Sequence, residues 1–350
     1  MSDQNDAIDL GARETEVLKT IIRQHIVSGE PIGSKSVSGG LRLDLSAASI
    51  RNVMAELEER GLLKQPHTSA GRVPTDQAYR LYVDRLLRRQ RVSAGQAQAI
   101  DSALANSRGE IPDLLSEATR QLSQFSNQVG LVLAPQLQRV VIDRLEFVRI
   151  DARRVVAILV ARSGVVHNRM LEAKEPTEQH ELDRIGRYLT DELGGLTLPE
   201  MRDRLLARMA EERAAYDRML KQSLELGQQA LETTPEDDDL LVDGASNLIG
   251  SPEFAEVQTM RALFRTLEEK KSLIGLLGQV IEGGGVQVII GEENTNSELN
   301  RCSLVVAGYG SNDRNLGTLG IVGPTRMEYA RAIALVDHLA SVLSRLLSGT

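Results

Sequence analysis

The sequence predicts a multidomain α+β protein that begins with a winged helix-turn-helix unit, and three observations carry that prediction. The first ninety residues show three stretches of helical periodicity, then two short extended pieces around a glycine-containing tip. Beyond them, strand-like apolar runs stand before and after a long helical block, the pattern of one α/β body interrupted by an insertion. The 350 residues are too many for one ordinary domain, and 41% hydrophobic with 26% charged residues suits a chain that builds real cores.

Each element has its own signal. Val17, Leu18, Ile21, Ile22 and Ile26 recur at helical spacing, and Gly29 with Pro31 ends that segment. A short second helix is expected from Ser34, whose hydroxyl suits a helix N-terminus. The third runs from about Ser46 to Glu59 and stops at Gly61, a residue suited to a left-handed cap. Residues 62–65 and 72–74 are the extended pieces of the hairpin. From 92 to 127 the texture is helical and polar and suits a connector. Apolar runs at 129–134, 140–150, 155–161 and 165–171 are rich in β-branched residues and read as strands. Residues 176–232 are helical, with an apolar stripe of Leu205, Met209, Tyr216, Met219, Leu220 and Leu224, and the acidic run Glu236-Asp237-Asp238-Asp239 interrupts the pattern. A helix over about 256–281 ends at Gly283-Gly284-Gly285, and strands are expected at 286–290, 303–309 and 316–322. A final helix after Pro324 carries Ile333, Leu335, Val336, Leu339, Val342, Leu343 and Leu346. Two separate domains fit the same pattern as an interrupted one.

Enzyme readings find little to stand on. Gly29-Glu30-Pro31-Ile32-Gly33-Ser34-Lys35-Ser36 has the outline of a phosphate loop, but Ser34 separates Gly33 from Lys35 and no strand precedes it. Gly308-Tyr309-Gly310 begins a dinucleotide-like pattern that Asp313 breaks. Cys302, the only cysteine, allows neither an internal disulfide nor a cysteine-based metal cage. Beside Ser303, Leu304, Val305 and Val306 it reads as a small residue at the start of a buried strand. His25, His67, His167, His180 and His338 include no HExxH-type pair. The chain is therefore expected to be no enzyme and to need no cofactor. No run approaches the roughly 18–20 apolar residues of a membrane span, and the start MSDQNDAIDL lacks a basic-then-apolar signal. A cytoplasmic protein is expected.

The net charge of −8 argues against a nucleic-acid partner only until it is divided. Through residue 91 there are fourteen Lys and Arg against twelve Asp and Glu; the remainder holds 27 against 37. Within 60–91, Arg60, Lys64, Arg72, Arg80, Arg85, Arg88, Arg89 and Arg91 face only Asp76 and Asp84, and a local basic patch governs attraction to phosphate. On a helical wheel the third helix gathers Ile50, Val53, Met54 and Leu57 within roughly 100° of arc. Ala48, Asn52 and Ala55 face the other way, flanked by Ser49 and Arg51. That small, polar face, with Ser46 at its start, suits close entry into a major groove, where Asn52 pairs with adenine and Arg51 reaches guanine or phosphate. Ser34, Lys35 and Ser36 of the second helix are expected on phosphate. His67, Thr68, Ser69 and Arg72 are expected to supply donors from the hairpin tip, where Gly71 permits a tight turn. Tyr79 and Arg80 are expected to continue the backbone contacts. An ordinary exposed helix and a solvated charge cluster are the plainer readings of the same residues.

Several segments resemble one family. Glu30-Pro31-Ile32-Gly33-Ser34-Lys35, Ser49-Ile50-Arg51-Asn52-Val53-Met54 and Pro66-His67-Thr68-Ser69-Ala70-Gly71-Arg72-Val73-Pro74-Thr75 are similar to the heat-inducible transcription repressor family HrcA. So are Asn247-Leu248-Ile249-Gly250-Ser251-Pro252-Glu253-Phe254, Gly291-Glu292-Glu293-Asn294 and Gly323-Pro324-Thr325-Arg326-Met327-Glu328-Tyr329, in matching order along the chain. The resemblance implies a winged-helix DNA-binding domain over 1–91, a GAF-like α/β domain in two parts, 92–174 and 261–350, and a helical and mixed dimerisation domain inserted over 175–260. It implies a homodimer on the CIRCE inverted-repeat operator of chaperonin and related chaperone operons, kept active by the GroEL chaperonin. A winged-helix regulator gated by a small ligand in the GAF-like domain is the alternative. Ala78 stands where a glycine is common and Gln65 where a serine is frequent; neither removes an expected DNA donor.

Overall fold

The structure, a computed structural model, describes residues 9–40, 45–67, 70–88, 90–107, 111–135, 140–211, 218–231, 240–269, 273–275, 277, 285–311 and 314–347. Thr68, Ser69, Arg89, Tyr216, the acidic run at 236–239, Gly283, Gly284 and Asp313 lie outside the described residues, as do the side chains of Met209, Met219 and Leu220.

Three helices open the chain: α1 (Ala12–Ser28), α2 (Ser34–Gly40) and α3 (Ala47–Glu59). Their apolar stripes meet in one core, where Val17, Leu18, Ile21 and Ile22 of α1 are buried with Val37 of α2 and Ile50, Met54 and Leu57 of α3. Gly61, at φ 74°, turns the chain out of α3. The antiparallel pair β1 (Leu63–Lys64) and β2 (Val73–Pro74) follows, then α4 (Asp76–Leu81), which runs into a wider helical turn at Tyr82–Leu86. Ile32, from the segment before α2, forms an antiparallel bridge to Arg72 of the hairpin. Gly71 makes that approach possible, because a Cβ there would lie 2.4 Å from the Ile32 carbonyl oxygen.

Next come α5 (Ala94–Ala105), α6 (Ile111–Ser126) and β3 (Val129–Leu133). An excursion follows: β4 (Val141–Arg149), β5 (Arg154–Ala161), β6 (Val166–Glu172), α7 (Gln179–Leu193), β7 (Leu196–Thr197), α8 (Leu198–Glu211) and α9 (Arg218–Leu231). The chain then returns through β8 (Leu240–Asp243), α10 (Val257–Glu268), β9 (Val286–Ile290), β10 (Cys302–Ser311), β11 (Arg314–Pro324) and α11 (Tyr329–Leu347).

Two larger sheets result, both antiparallel. The first has the order β8-β3-β11-β10-β9 and the second β6-β5-β4-β7. In the first, successive residues of β10 alternate between two buried layers. Cys302, Leu304 and Val306 pack with Leu131, Leu133, Phe254 and Leu263, while Val305, Ala307 and Tyr309 pack beneath α6 and α11 with Leu122, Leu335 and Leu339. In the second sheet, Leu145, Phe147, Val155, Ala157 and Leu159 are buried beneath α7 with Leu182, Ile185 and Leu189.

This arrangement corrects the expected limits of the insertion. The strands at 140–171 were expected to belong with those at 286–322, and the interruption to begin at 175 and end at 260. Instead β4, β5 and β6 pair only with one another and with β7, so the excursion spans 141–231, and β8 and α10 already belong to the first sheet and its cover. The reason is backbone pairing: an apolar strand carries no mark of which sheet its N–H and C=O groups will join. Residues 92–127 likewise do more than connect, since α6 buries Leu115, Ala118 and Leu122 on the first sheet.

Candidate nucleic-acid interface

Helix α3 divides as its periodicity predicts. Ile50, Met54 and Leu57 are buried and Val53 is half-buried against the same core, while Ala48, Ser49, Arg51, Asn52 and Ala55 are exposed. Ser46 starts the helix: its Oγ accepts from the Ser49 N–H at 3.1 Å, satisfying one of the free donors of the first turn. Its hydroxyl also lies 3.0 Å from that of Ser49, so these two side chains are ordered at the exposed end of the helix. The outward stripe carries small side chains, one amide and one guanidinium, with no carboxylate before Glu56.

Helix α2 crosses α3 and exposes Lys35 and Ser36, with Ser34 half-buried. Ser34 sits within the first turn rather than before it, and the Gly33 carbonyl accepts from the Ser36 and Val37 N–H groups. Ser36 is partly committed to α1, donating to Gln24 Oε1 at 2.9 Å. At the hairpin, His67 is exposed, and the Gln65 amide donates to the Ala70 carbonyl at 3.1 Å to close the base of the tip. Lys64 is exposed beside it.

Three expected DNA contacts stand elsewhere. Tyr79 is 2% exposed; its hydroxyl lies 2.7 Å from His25 Nδ1 and its ring 5.8 Å from that of Tyr329, so it is a core residue with nothing to offer a phosphate. Arg80 points away from α3 into the α/β body, where its guanidinium binds Glu293 through two nitrogens and donates to the Val288 carbonyl at 2.6 Å. A bidentate pair of this kind holds the guanidinium firmly. Arg72 is not a free cation either: its Nε donates to Glu58 of α3 at 2.8 Å, tying the hairpin to the helix beside it. Neither helical periodicity nor local charge signals these partners, because Glu293 is 213 residues from Arg80.

The electrostatics of this underside are those of a packed contact. Burial, aided by the charges of Arg326 and Lys64, lowers the His25 pKa to about 4, so the ring is neutral at ordinary pH. Burial likewise raises the hydroxyl pKa values of Tyr79 and Tyr329 and pushes the Cys302 thiol up to about 12, which leaves that cysteine in β10 protonated and unreactive.

Comparison with known proteins fits this architecture. A family model described as the C-terminal domain of HrcA protein matches residues 112–333. A heat-inducible transcription repressor HrcA of Geobacter sulfurreducens is 41% identical over 97% of this chain and 99% of its own length. The repressor of the same name from Xanthomonas axonopodis pv. citri is 39% identical, over 95% of each chain, and that of Sorangium cellulosum 37% identical, over 96% and 97%. A crystal structure described as that of a hypothetical protein shares the fold with a TM-score of 0.61 at 22% identity, over 97% of this chain and 99% of the other. No helix among the described residues is long and apolar enough to cross a membrane. With the family model covering most of the chain and close relatives matching it end to end, this chain belongs to the HrcA family of heat-inducible transcription repressors.

Proposed function

We propose that the chain represses heat-shock genes by binding an inverted-repeat operator as a homodimer, each copy inserting α3 of a winged-helix unit into a major groove. The observation that carries this reading is the division of α3: its apolar stripe is spent on the core, and Ser46, Ala48, Ser49, Arg51 and Asn52 are presented to solvent, the two hydroxyls 3.0 Å apart. Asn52 and Arg51 supply base readout, with Ala48 and Ser49 allowing close approach. Lys35, with Ser34 and Ser36 beside it, and His67 at the hairpin approach the phosphates. Arg72 acts by holding the hairpin against α3.

The homodimer has a matching surface. Among the described residues nothing covers the outer face of the second sheet, which has an apolar centre: Val148, Val156 and Met170 stand in register across β4, β5 and β6, and Val160 pairs with Val166 nearby. Val148, Val166 and Met170 are at least 40% exposed. Arg144 and Glu146 lie on the same face 3.1 Å apart, so two copies related by a two-fold axis can exchange opposite charges around a shared apolar centre. A two-fold dimer in turn suits a symmetric operator. The family resemblance extends the reading to CIRCE as that operator, to the first sheet and its helices as a GAF-like domain, and to GroEL as the chaperonin that keeps the repressor active.

The test is operator binding by Asn52→Ala. The variant is expected to lose roughly 1–3 kcal/mol of discrimination between the operator and a duplex altered at one base pair, per lost bidentate pair. Undiminished discrimination would remove α3 from the groove. Titration with purified chaperonin tests the coupling separately: a rise in the DNA-binding fraction supports it, and no rise excludes it while leaving the repressor reading in place.

A further inference from the structure

We propose that the contact between α4 and the turn at 291–293, together with Arg326, is a rigid clamp that sets the operator half-site spacing this repressor accepts. The inference rests on the reading of α3 as the groove-binding helix.

In a two-fold dimer, the distance and angle between two groove-binding helices are defined only if each is rigidly joined to the dimerising body. The covalent link alone does not supply this: between Leu86 and Ala94 no described residue belongs to a helix or a strand, and only Leu87 and Val92 pack on the core. Three separate attachments do. Arg80 of α4 grips Glu293 and the Val288 carbonyl. At the N-terminus of the same helix, the Asp76 carboxylate accepts from the Glu292 N–H at 3.0 Å. On the far side, Arg326 donates to the Ile26 carbonyl of α1 at 3.1 Å and binds Glu253, with the Tyr79 ring seated against Tyr329. Contacts made through both α4 and α1 restrain orientation as well as position.

The receiving turn is itself stiff. Glu293 accepts from the Ile290 N–H at 2.8 Å, and the buried Asn294 amide donates to the carbonyls of Gly291, Leu299 and Cys302 at 2.6, 3.1 and 3.1 Å. Gly291 has φ 53°, and a Cβ there would fall 1.8 Å from Asp76 Oδ2, so glycine is what lets the carboxylate reach the turn. The motifs at 251–254, 291–294 and 324–329 each contribute a side chain or a backbone group to this one junction, and nothing in operator reading or dimerisation otherwise accounts for them.

The consequence is geometric. Adding one base pair between half-sites moves them apart by about 3.4 Å and rotates them by about 35°. A clamped N-terminal unit cannot follow; a released one can. The experiment uses the full chain and duplexes carrying two copies of the half-site that the wild-type protein selects from randomised DNA, with the spacer changed by one, two and five base pairs. Binding to a duplex with a single half-site is measured in parallel as a check on the fold of the N-terminal unit. Wild type is expected to lose tenfold or more in affinity for a one-base-pair change. Arg80→Ala and Gly291→Ala are expected to flatten that loss to about threefold or less while keeping single half-site affinity, and Arg80→Lys to fall between. The proposal is overturned if both variants keep the steep spacer profile with intact single half-site binding. Tighter binding at the native spacer with unchanged spacing preference also overturns it, because the clamp would then be holding α3 away from DNA. Absence of any half-site selection by the wild-type chain sinks the DNA reading itself, a result distinct from a spacer profile that the variants leave unchanged.

Discussion

The two large sheets of this molecule are built from the same kinds of residue and used in opposite ways. The first, with β10 at its heart, is covered on both faces, so every residue of that strand from Cys302 to Ala307 is buried. The second is covered by α7 on one face only, and its other face leaves Val148, Val166 and Met170 in water. A sheet that is closed on both faces holds its own chain together. A sheet left apolar on one face is waiting for another surface, because exposed apolar area of this kind is costly to leave solvated. The difference separates what this chain needs in order to fold from what the proposed dimer would use.

The largest effect that tests the contrast is in the closed sheet. Leu304 is fully buried between β11 and β9, against the layer of Phe254 and Leu263. Leu304→Ala is expected to lower stability by about 2–5 kcal/mol through lost burial and a cavity. The urea midpoint of the variant should fall by the same amount at every protein concentration.

The open sheet should behave the other way. Val156→Glu places a charge in the middle of the row Val148–Val156–Met170. It is expected to cost the fold itself about 1 kcal/mol, less than the core substitution, since Val156 is half-buried on this face rather than enclosed. Dimer dissociation should rise tenfold or more, read by sedimentation across a range of concentrations. A variant that stayed dimeric would move the interface to another surface.

The smallest effect lies where the closed sheet meets the N-terminal unit. His25, packed on Tyr79 and facing Arg326 and Lys64, has a folded pKa of about 4 against 6.5 when free. The folded state thus binds fewer protons, so its stability is intact above about pH 6.5 and declines as pH falls towards 4. Burial raises the Asp76 pKa, which works in the opposite direction, but that group is common to both proteins compared. Between pH 7 and 4 the wild type should therefore lose more thermal stability than His25→Gln, which keeps a hydrogen-bonding partner for the Tyr79 hydroxyl. Parallel pH profiles would show that His25 is not held neutral by the junction.

The division of α3 is legible in the sequence because it depends on period alone. An amphipathic helix must bury its stripe, and Ile50, Met54 and Leu57 define which side of α3 that is, leaving Ala48, Arg51 and Asn52 outside. Tyr79 and Arg80 were misread for the converse reason. Both stand in a basic stretch next to the hairpin, and only the arrival of Tyr329 and Glu293 from the other end of the chain turns them inward. The β8 strand was missed outright; four residues after an acidic run show no alternation, and pairing with β3 is what makes Leu240–Asp243 a strand.

By itself, then, the sequence determined most of the local elements, the packing face of α3 and the family to which the chain belongs, because these follow from residue periodicity and from short motifs. The tertiary structure alone decided which strands share a sheet and which cations are tied to distant carboxylates. Those outcomes depend on backbone pairing and on ion partners far apart in the chain, which no local pattern records. Arg51 and Arg80 look alike in sequence; one remains exposed on α3 and the other is held by Glu293.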